Sequence, residues 1–187
     1  MVGAACLATL SSAARAQVVQ TFEDFVPCDD VMPNVGVYGS VNYLLQWTCF
    51  SFPQAPFNAH SGANRVFASN GADNSTSASF TFGATQFTGA WFAGNANISF
   101  LMFLGANQVA TSGTLSANGT PAFLSSGYSG LVDRVTVSAN NVNWVMDDVS
   151  FAGVTTTPEP ESIALVASAL AMIAGGVGVR RRSKRQR

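Results

Sequence analysis

The chain contains a single histidine, His60, and this limits the acid–base chemistry that the sequence can support. His60 lies in a segment rich in proline, glycine and asparagine. Ser61-Gly62 follows it without the G-x-S-x-G frame of a nucleophile elbow. A serine triad also needs an acid that orients the histidine. We therefore expect His60 to be an exposed loop residue rather than a catalytic base.

Two aspartate doublets, Asp29-Asp30 and Asp147-Asp148, are the other candidates for acid–base chemistry, such as glycoside hydrolysis. Neighbouring residues on a strand point to opposite faces of a sheet, so neither doublet is expected to supply a matched acid and base. The sequence also has no glycine-rich phosphate loop. We predict that the chain is not an enzyme.

Carboxylates near both ends of the central region suit a hard cation better than catalysis. Glu23 and Asp24 follow an early predicted strand, and Asp147 and Asp148 lie in the last one. Carboxylate and carbonyl oxygens are the ligands of Ca²⁺, and buried charges without a partner are costly. If the terminal strands are neighbours, these four residues are candidates for a structural calcium site. The alternative is that they are solvated strand ends or turn caps.

Sugar binding would require exposed aromatic rings as stacking platforms. Trp91 and Trp144 lie within apolar strands and are expected in the core. Tyr38, Tyr43 and Tyr128 fall in or near loops and are the better candidates for ligand stacking.

Cys28 and Cys49 are predicted to form a disulfide if the protein is exported to an oxidising compartment. Closing a loop of about twenty residues would stabilise the fold by roughly 3 kcal/mol in the chain-entropy estimate. The alternative is two small buried apolar side chains.

The elements that must position these residues are predicted to be short strands. Turn residues such as Asn70-Gly71 and Asn118-Gly119 separate them, and fourteen phenylalanines suit strands that pack face to face. The predicted strands are 17–22, 43–52, 65–68, 77–82, 86–93, 97–104, 109–116, 122–125, 132–138 and 142–151. The expected fold is all-β, a single antiparallel β-sandwich. A β-helix would need a repeat, and a disordered stalk would contain fewer aromatic residues.

The near-neutral charge of the whole chain hides two regions of opposite sign. Residues 17–157 contain eight acidic residues and two basic ones, Arg65 and Arg134, so this region is near −6. The last eight residues carry six basic residues. An acidic body disfavours binding to nucleic acid.

The C-terminal region has the composition of a membrane helix followed by a positive stop. Residues 163–179 carry no charge, and the basic cluster begins at Arg180. Seventeen helical residues span about 25 Å, slightly less than a hydrocarbon core of about 30 Å. Basic residues stay on the cytoplasmic side of a membrane. The alternative, a buried core helix, would show a polar stripe, and only Ser168 interrupts this one.

The motif Pro158-Glu159-Pro160, followed by that apolar segment and the terminal arginine cluster, resembles the PEP-CTERM protein-sorting signal. The match covers about residues 157–187, and Glu161 departs from it, since the family more often has a small or hydroxyl residue there. The resemblance implies that the protein is the substrate of an exosortase, a membrane-embedded cysteine transpeptidase. It also implies a Gram-negative bacterial source that makes extracellular polysaccharide.

The body, in turn, resembles jelly-roll and galactose-binding-like domains. The similarity is diffuse and rests on Thr21-Phe22-Glu23-Asp24, the run 132–137 and the finish Asp147-Asp148-Val149-Ser150-Phe151. In those domains a similar start and finish flank a structural calcium, which is what the resemblance implies for the four carboxylates.

Residues 1–16 have the pattern of a secretory signal remnant, with Ala14-Arg15-Ala16 as an A-x-A cleavage site. No basic residue precedes Arg15, so the natural start is expected upstream. The predicted organisation is signal remnant 1–16, β-sandwich 17–153, linker 154–157 and sorting tail 158–187.

The function expected from these features is that of an exported, membrane-anchored protein with a cytoplasmic C-terminus. An exosortase would then release it to the cell surface or extracellular matrix. A non-catalytic structural or adhesive role linked to extracellular polysaccharide is expected. The alternatives are a carbohydrate-binding module and, for the tail, a plain uncleaved anchor.

Overall fold

The computed structural model describes residues 17–26, 28, 33–70 and 73–153. These residues form an all-β body of two antiparallel sheets, and no helix occurs among them. Two facing antiparallel sheets agree with the predicted β-sandwich.

The strands are β1 (Gln17–Gln20), β2 (Val37–Tyr38), β3 (Val41–Asn42), β4 (Trp47–Phe50), β5 (Arg65–Asn70), β6 (Asp73–Asn74), β7 (Ser77–Thr85), β8 (Phe87–Gly94), β9 (Asn97–Leu104), β10 (Asn107–Thr111), β11 (Leu115–Ser116), β12 (Ala122–Ser125), β13 (Val132–Ala139) and β14 (Trp144–Ala152). The first sheet has the strand order β12-β8-β14-β5-β4, with β1 paired to β14 and β6 paired to β5. The second sheet has the order β10-β9-β13-β7-β3-β2, with β11 paired to β9.

Alternating side chains from both sheets build the core. In β9, for example, Ile98, Phe100 and Met102 are fully buried, while their neighbours are partly or fully exposed. This is the period-two pattern of a sheet with one buried face. Trp47 and Trp144 meet in the core edge to face, with 5.7 Å between their ring centroids. Trp144 therefore lies in the core, as predicted, whereas the same prediction is wrong for Trp91, which is only half-buried.

The predicted strand 43–52 is wrong at its start. Leu44 has φ +58°, a left-handed conformation outside the range of strands, and its amide donates to the Asn42 side chain at 2.9 Å. The chain turns here and enters β4 only at Trp47.

The first and last strands are neighbours. β1 pairs with the second half of β14, from Gln17 opposite Ala152 to Gln20 opposite Val149. Both ends of the described body therefore lie at the same end of β14. The juxtaposition of these strands, on which the calcium prediction depends, is confirmed.

A disulfide joins Cys28 to Cys49, whose Cα atoms are 5.2 Å apart. Cys49 lies on β4 and is fully buried. The bridge therefore fastens the segment that follows β1 to the edge of the first sheet.

Candidate functional site

Residues 51–64, the covering loop, lie over the outer face of the first sheet. Phe52 and Phe57 from this loop pack on a small apolar cluster that includes Phe50 and Val145. An ordinary outer face would be solvated, but eight of the nine residues of β14 are buried. The covering loop thus gives the first sheet a second apolar layer, and carboxylates hold the loop in place.

Asp147 is the first of these carboxylates. Its Oδ2 atom accepts hydrogen bonds from the backbone amides of His60 at 2.8 Å and Ser61 at 3.0 Å. Its Oδ1 atom accepts from the amide of Asp148 at 2.8 Å. Burial, with a smaller contribution from the charge of Asp148, raises the pKa of Asp147 to about 6, although the amide donors partly oppose the rise. These hydrogen bonds thus offset part of the free-energy cost of burying the ionised Asp147 carboxylate.

Asp148 binds the same two loop residues through their side chains. Its Oδ2 atom lies 2.6 Å from His60 Nδ1, and its Oδ1 atom accepts from Ser61 Oγ at 2.8 Å. The expectation that the doublet points to opposite faces is therefore wrong. Asp148 has φ +45°, and the pairing of β14 with β8 shifts register between Asp147 and Ser150. This bulge redirects the second side chain toward the loop that the first one holds.

Glu23 holds the other end of the covering loop. Its carboxylate accepts hydrogen bonds from the amides of Asn64 at 2.8 Å and Ala63 at 3.1 Å. Gly62 has φ +50°, and a Cβ atom there would lie 2.1 Å from the Glu23 carboxylate. Glycine is required at this close approach. Asp24 lies apart, near Tyr38, and its charge adds to burial in raising the pKa of the Tyr38 hydroxyl.

The predicted calcium ligands thus divide into three that bind the covering loop and one that does not. Glu23, Asp147 and Asp148 offer their oxygens to N–H and O–H donors, which occupy lone pairs that Ca²⁺ would need. Among the described residues, no group of three or more histidine, cysteine, aspartate or glutamate side chains is arranged to hold a metal ion. Calcium binding stays a prediction.

His60 contributes packing as well as a polar contact. Its ring stacks on Trp91 with 3.5 Å between centroids and an interplanar angle of 12°. The side chain remains 34% exposed, as expected for a loop residue. Ser61 donates to Asp148 and not to His60, whereas a serine triad requires the serine to be hydrogen-bonded to the histidine. The three side chains fasten the loop without forming a nucleophile–base pair.

Arg65 supports the covering loop from beneath. Its guanidinium donates to the carbonyl oxygens of Phe52 at 2.6 Å, Phe57 at 2.7 Å and Ala63 at 2.8 Å. It also lies 3.9 Å from the ring centroid of Phe50. The side chain is 2% exposed, and desolvation lowers its pKa while the nearby charge of Asp147 opposes the fall. One buried cation therefore fixes the backbone at three points of the loop.

A groove of about 210 Å³ opens between the covering loop and the outer face of the sheet. Its lining residues are Phe50, Phe52, Gln54, Phe57, Phe67, Asn74, Val142, Trp144 and Val145. Phe52, Phe57 and Phe67 are half-buried, whereas the amides Gln54 and Asn74 are exposed. No ionisable side chain lines this groove among the described residues.

The predicted stacking tyrosines lie elsewhere. Tyr43 is fully buried and packs edge to face with Phe22, so the prediction of a stacking platform is wrong at this position. Tyr38 and Tyr128 are half-buried and pack against the main core. Sequence reasoning missed Phe52 and Phe57, although aromatic residues in a proline-rich loop were the available signal.

The predicted signal remnant and sorting tail lie outside the described residues. Within the described part of the chain, no helix is long and apolar enough to cross a membrane. Comparisons with protein-family models, with curated proteins and with solved structures find no match to this chain.

Proposed function

We propose that this chain is an exported protein of the bacterial cell surface or extracellular matrix, sorted by an exosortase through Pro158-Glu159-Pro160. The observation that carries the proposal is the order of features in the tail. The motif is followed by the uncharged segment 163–179 and then by six basic residues. The segment anchors the protein with its C-terminus in the cytoplasm until cleavage releases the body.

The role proposed for the body is structural or adhesive, not catalytic, and linked to extracellular polysaccharide. Three features support it. The body is a disulfide-bonded pair of antiparallel sheets, which suits a jelly-roll-like domain in an oxidising compartment. The best-placed polar side chains, those of His60, Asp147 and Asp148, bind the covering loop. The groove contains aromatic rings and amides in place of acids and bases.

The sorting proposal is tested by replacing Glu159 with alanine in a host that contains an exosortase. The expected result is accumulation of the full-length, membrane-held form on immunoblots of membrane fractions. Glu161→Ala, two positions beyond the motif glutamate, is the matched control and should be processed like the wild type. Normal processing of Glu159→Ala would favour the plain uncleaved anchor instead.

A structural calcium ion held by Glu23, Asp24, Asp147 and Asp148 remains part of the proposal. Calcium would bind only the folded body and so raise its melting temperature. The test is thermal unfolding of the wild type and Asp148→Asn, each with calcium and with chelator. A chelator-sensitive wild type and a chelator-insensitive variant are expected. Equal melting of the wild type in both conditions would exclude the ion.

Glycan binding is the second candidate function, and the exposed aromatic groove is the observation that favours it. A glycan array probed with the full chain in phospholipid nanodiscs separates the two roles. Selective retention on one class of glycan indicates a binding module, and a blank array indicates a structural protein.

A further inference from the structure

We propose that the groove beneath the covering loop binds a single neutral pyranose residue of a polysaccharide. The inference rests on the second candidate function and gives that function a site and a ligand class. It depends on three properties of the groove: the rings that line it, the amide groups on its lining, and the absence of ionisable side chains from its described lining.

The rings supply the apolar contact. Phe52 and Phe57 come from the covering loop and Phe67 from β5, and all three are only half-buried. A pyranose presents C–H groups on its ring faces, and burying them against aromatic carbon is favourable. Arg65 binds the carbonyl groups of Phe52 and Phe57, so the backbone that carries the two loop rings is fixed before a ligand arrives.

The polar side chains that line the groove can form hydrogen bonds with the hydroxyl groups of a sugar. Gln54 and Asn74 are exposed amides on the lining, and each offers both donors and an acceptor.

The charge of the lining and the volume of the groove restrict the class of ligand further. The absence of ionisable side chains from the described lining favours a neutral sugar over a uronic acid or a phosphorylated one, whose charge would be desolvated without a partner. The volume of about 210 Å³ is below the range of about 300–1,000 Å³ typical of ligand pockets. One sugar ring, with the rest of the glycan outside, fits this volume.

The experiment uses the full chain in nanodiscs and a panel of immobilised oligosaccharides. The panel contains neutral gluco-, manno- and galacto-configured hexamers together with a hexagalacturonate. We expect binding to a neutral hexamer. Phe57→Ala and the double variant Gln54→Ala/Asn74→Ala should each weaken it about tenfold, which is about 1.4 kcal/mol. Phe103→Ala and Gln108→Ala, on the other sheet, are matched controls and should bind like the wild type.

Several outcomes would overturn the inference: binding to hexagalacturonate alone, equal binding by the groove variants and the wild type, or no binding to any neutral hexamer. Light scattering tests whether the groove is instead occupied by a second copy of the chain. A wild-type dimer that dissociates in Phe57→Ala would show that it is. The sorting proposal fails separately, since normal processing of Glu159→Ala says nothing about sugar binding by the purified protein.

Discussion

Replacing Asp147 by asparagine should make the protein progressively more stable relative to the wild type as the pH rises. Asp147 is 2% exposed, and burial raises its pKa from 3.8 to about 6. The folded state therefore binds this proton more tightly than the unfolded state does. The stability that the proton contributes is fully present below about pH 4 and is lost as the pH rises through about 6. Asparagine does not ionise, so the variant loses none of it.

The expected size follows from the two pKa values. A difference of about two pKa units, at about 1.36 kcal/mol each, corresponds to about 3 kcal/mol. The variant also changes the hydrogen bonds to His60 and Ser61, which adds an offset at every pH. At pH 4 the unfolded carboxyl is already partly ionised, so the free-energy difference between variant and wild type should rise by less than this total, about 2 kcal/mol, between pH 4 and pH 7. The neighbouring charged groups Asp148 and Arg65 are present in both proteins.

Urea unfolding of the full chain in nanodiscs, followed by tryptophan fluorescence, measures this difference. All three tryptophans belong to the body, so the tail does not contribute to the signal. Asp73→Asn, on the exposed strand β6, removes a carboxylate of the same type from the surface and corrects for the change in net charge. A difference that stays constant within about 0.5 kcal/mol over this range would refute the reasoning that burial governs Asp147.

Three further changes test the attachment of the covering loop and the disulfide. Gly62→Ala should lower the free energy of unfolding by about 2 kcal/mol, because the new Cβ atom would meet the Glu23 carboxylate and because φ +50° favours glycine. A urea unfolding curve equal to that of the wild type would contradict this. Arg65→Lys should cost about 3 kcal/mol, because the single lysine Nζ cannot reach three carbonyl groups that three separate guanidinium nitrogens bind. Wild-type stability by calorimetry would count against this role of Arg65. Replacing Cys28 and Cys49 together with alanine should cost about 3 kcal/mol, the chain-entropy estimate for a separation of 21 residues. A wild type that unfolds at the same urea concentration with and without reductant would show that the bridge adds no stability.

Long alternating segments could be located from the sequence. The predicted strands 97–104 and 122–125 coincide with β9 and β12, because their apolar residues alternate or end at clear turn signals. The two-residue strands β2, β3 and β6 were not predicted. Strands this short carry no periodic pattern, and only pairing with a neighbour defines them.

The contacts of the candidate site were harder to predict from the sequence than the strands were. The pairing of the first and last strands could be expected from the sequence. The attachment of the Asp147-Asp148 doublet to His60 and Ser61 could not, because more than eighty residues separate them. The burial of Tyr43 was also missed, because its local sequence is typical of a loop and does not reveal that its ring is fully buried.

The sequence by itself determined the all-β class, the candidate disulfide between Cys28 and Cys49 and the features of the proposed sorting tail. These depend on local alternation, composition and the order of motifs along the chain. Only the tertiary structure decided that a bulge at Asp148 turns two adjacent carboxylates toward one loop and that this loop encloses an aromatic groove. The physical reason is that a bulge and a covering loop are stabilised by contacts between distant residues, which local patterns do not specify.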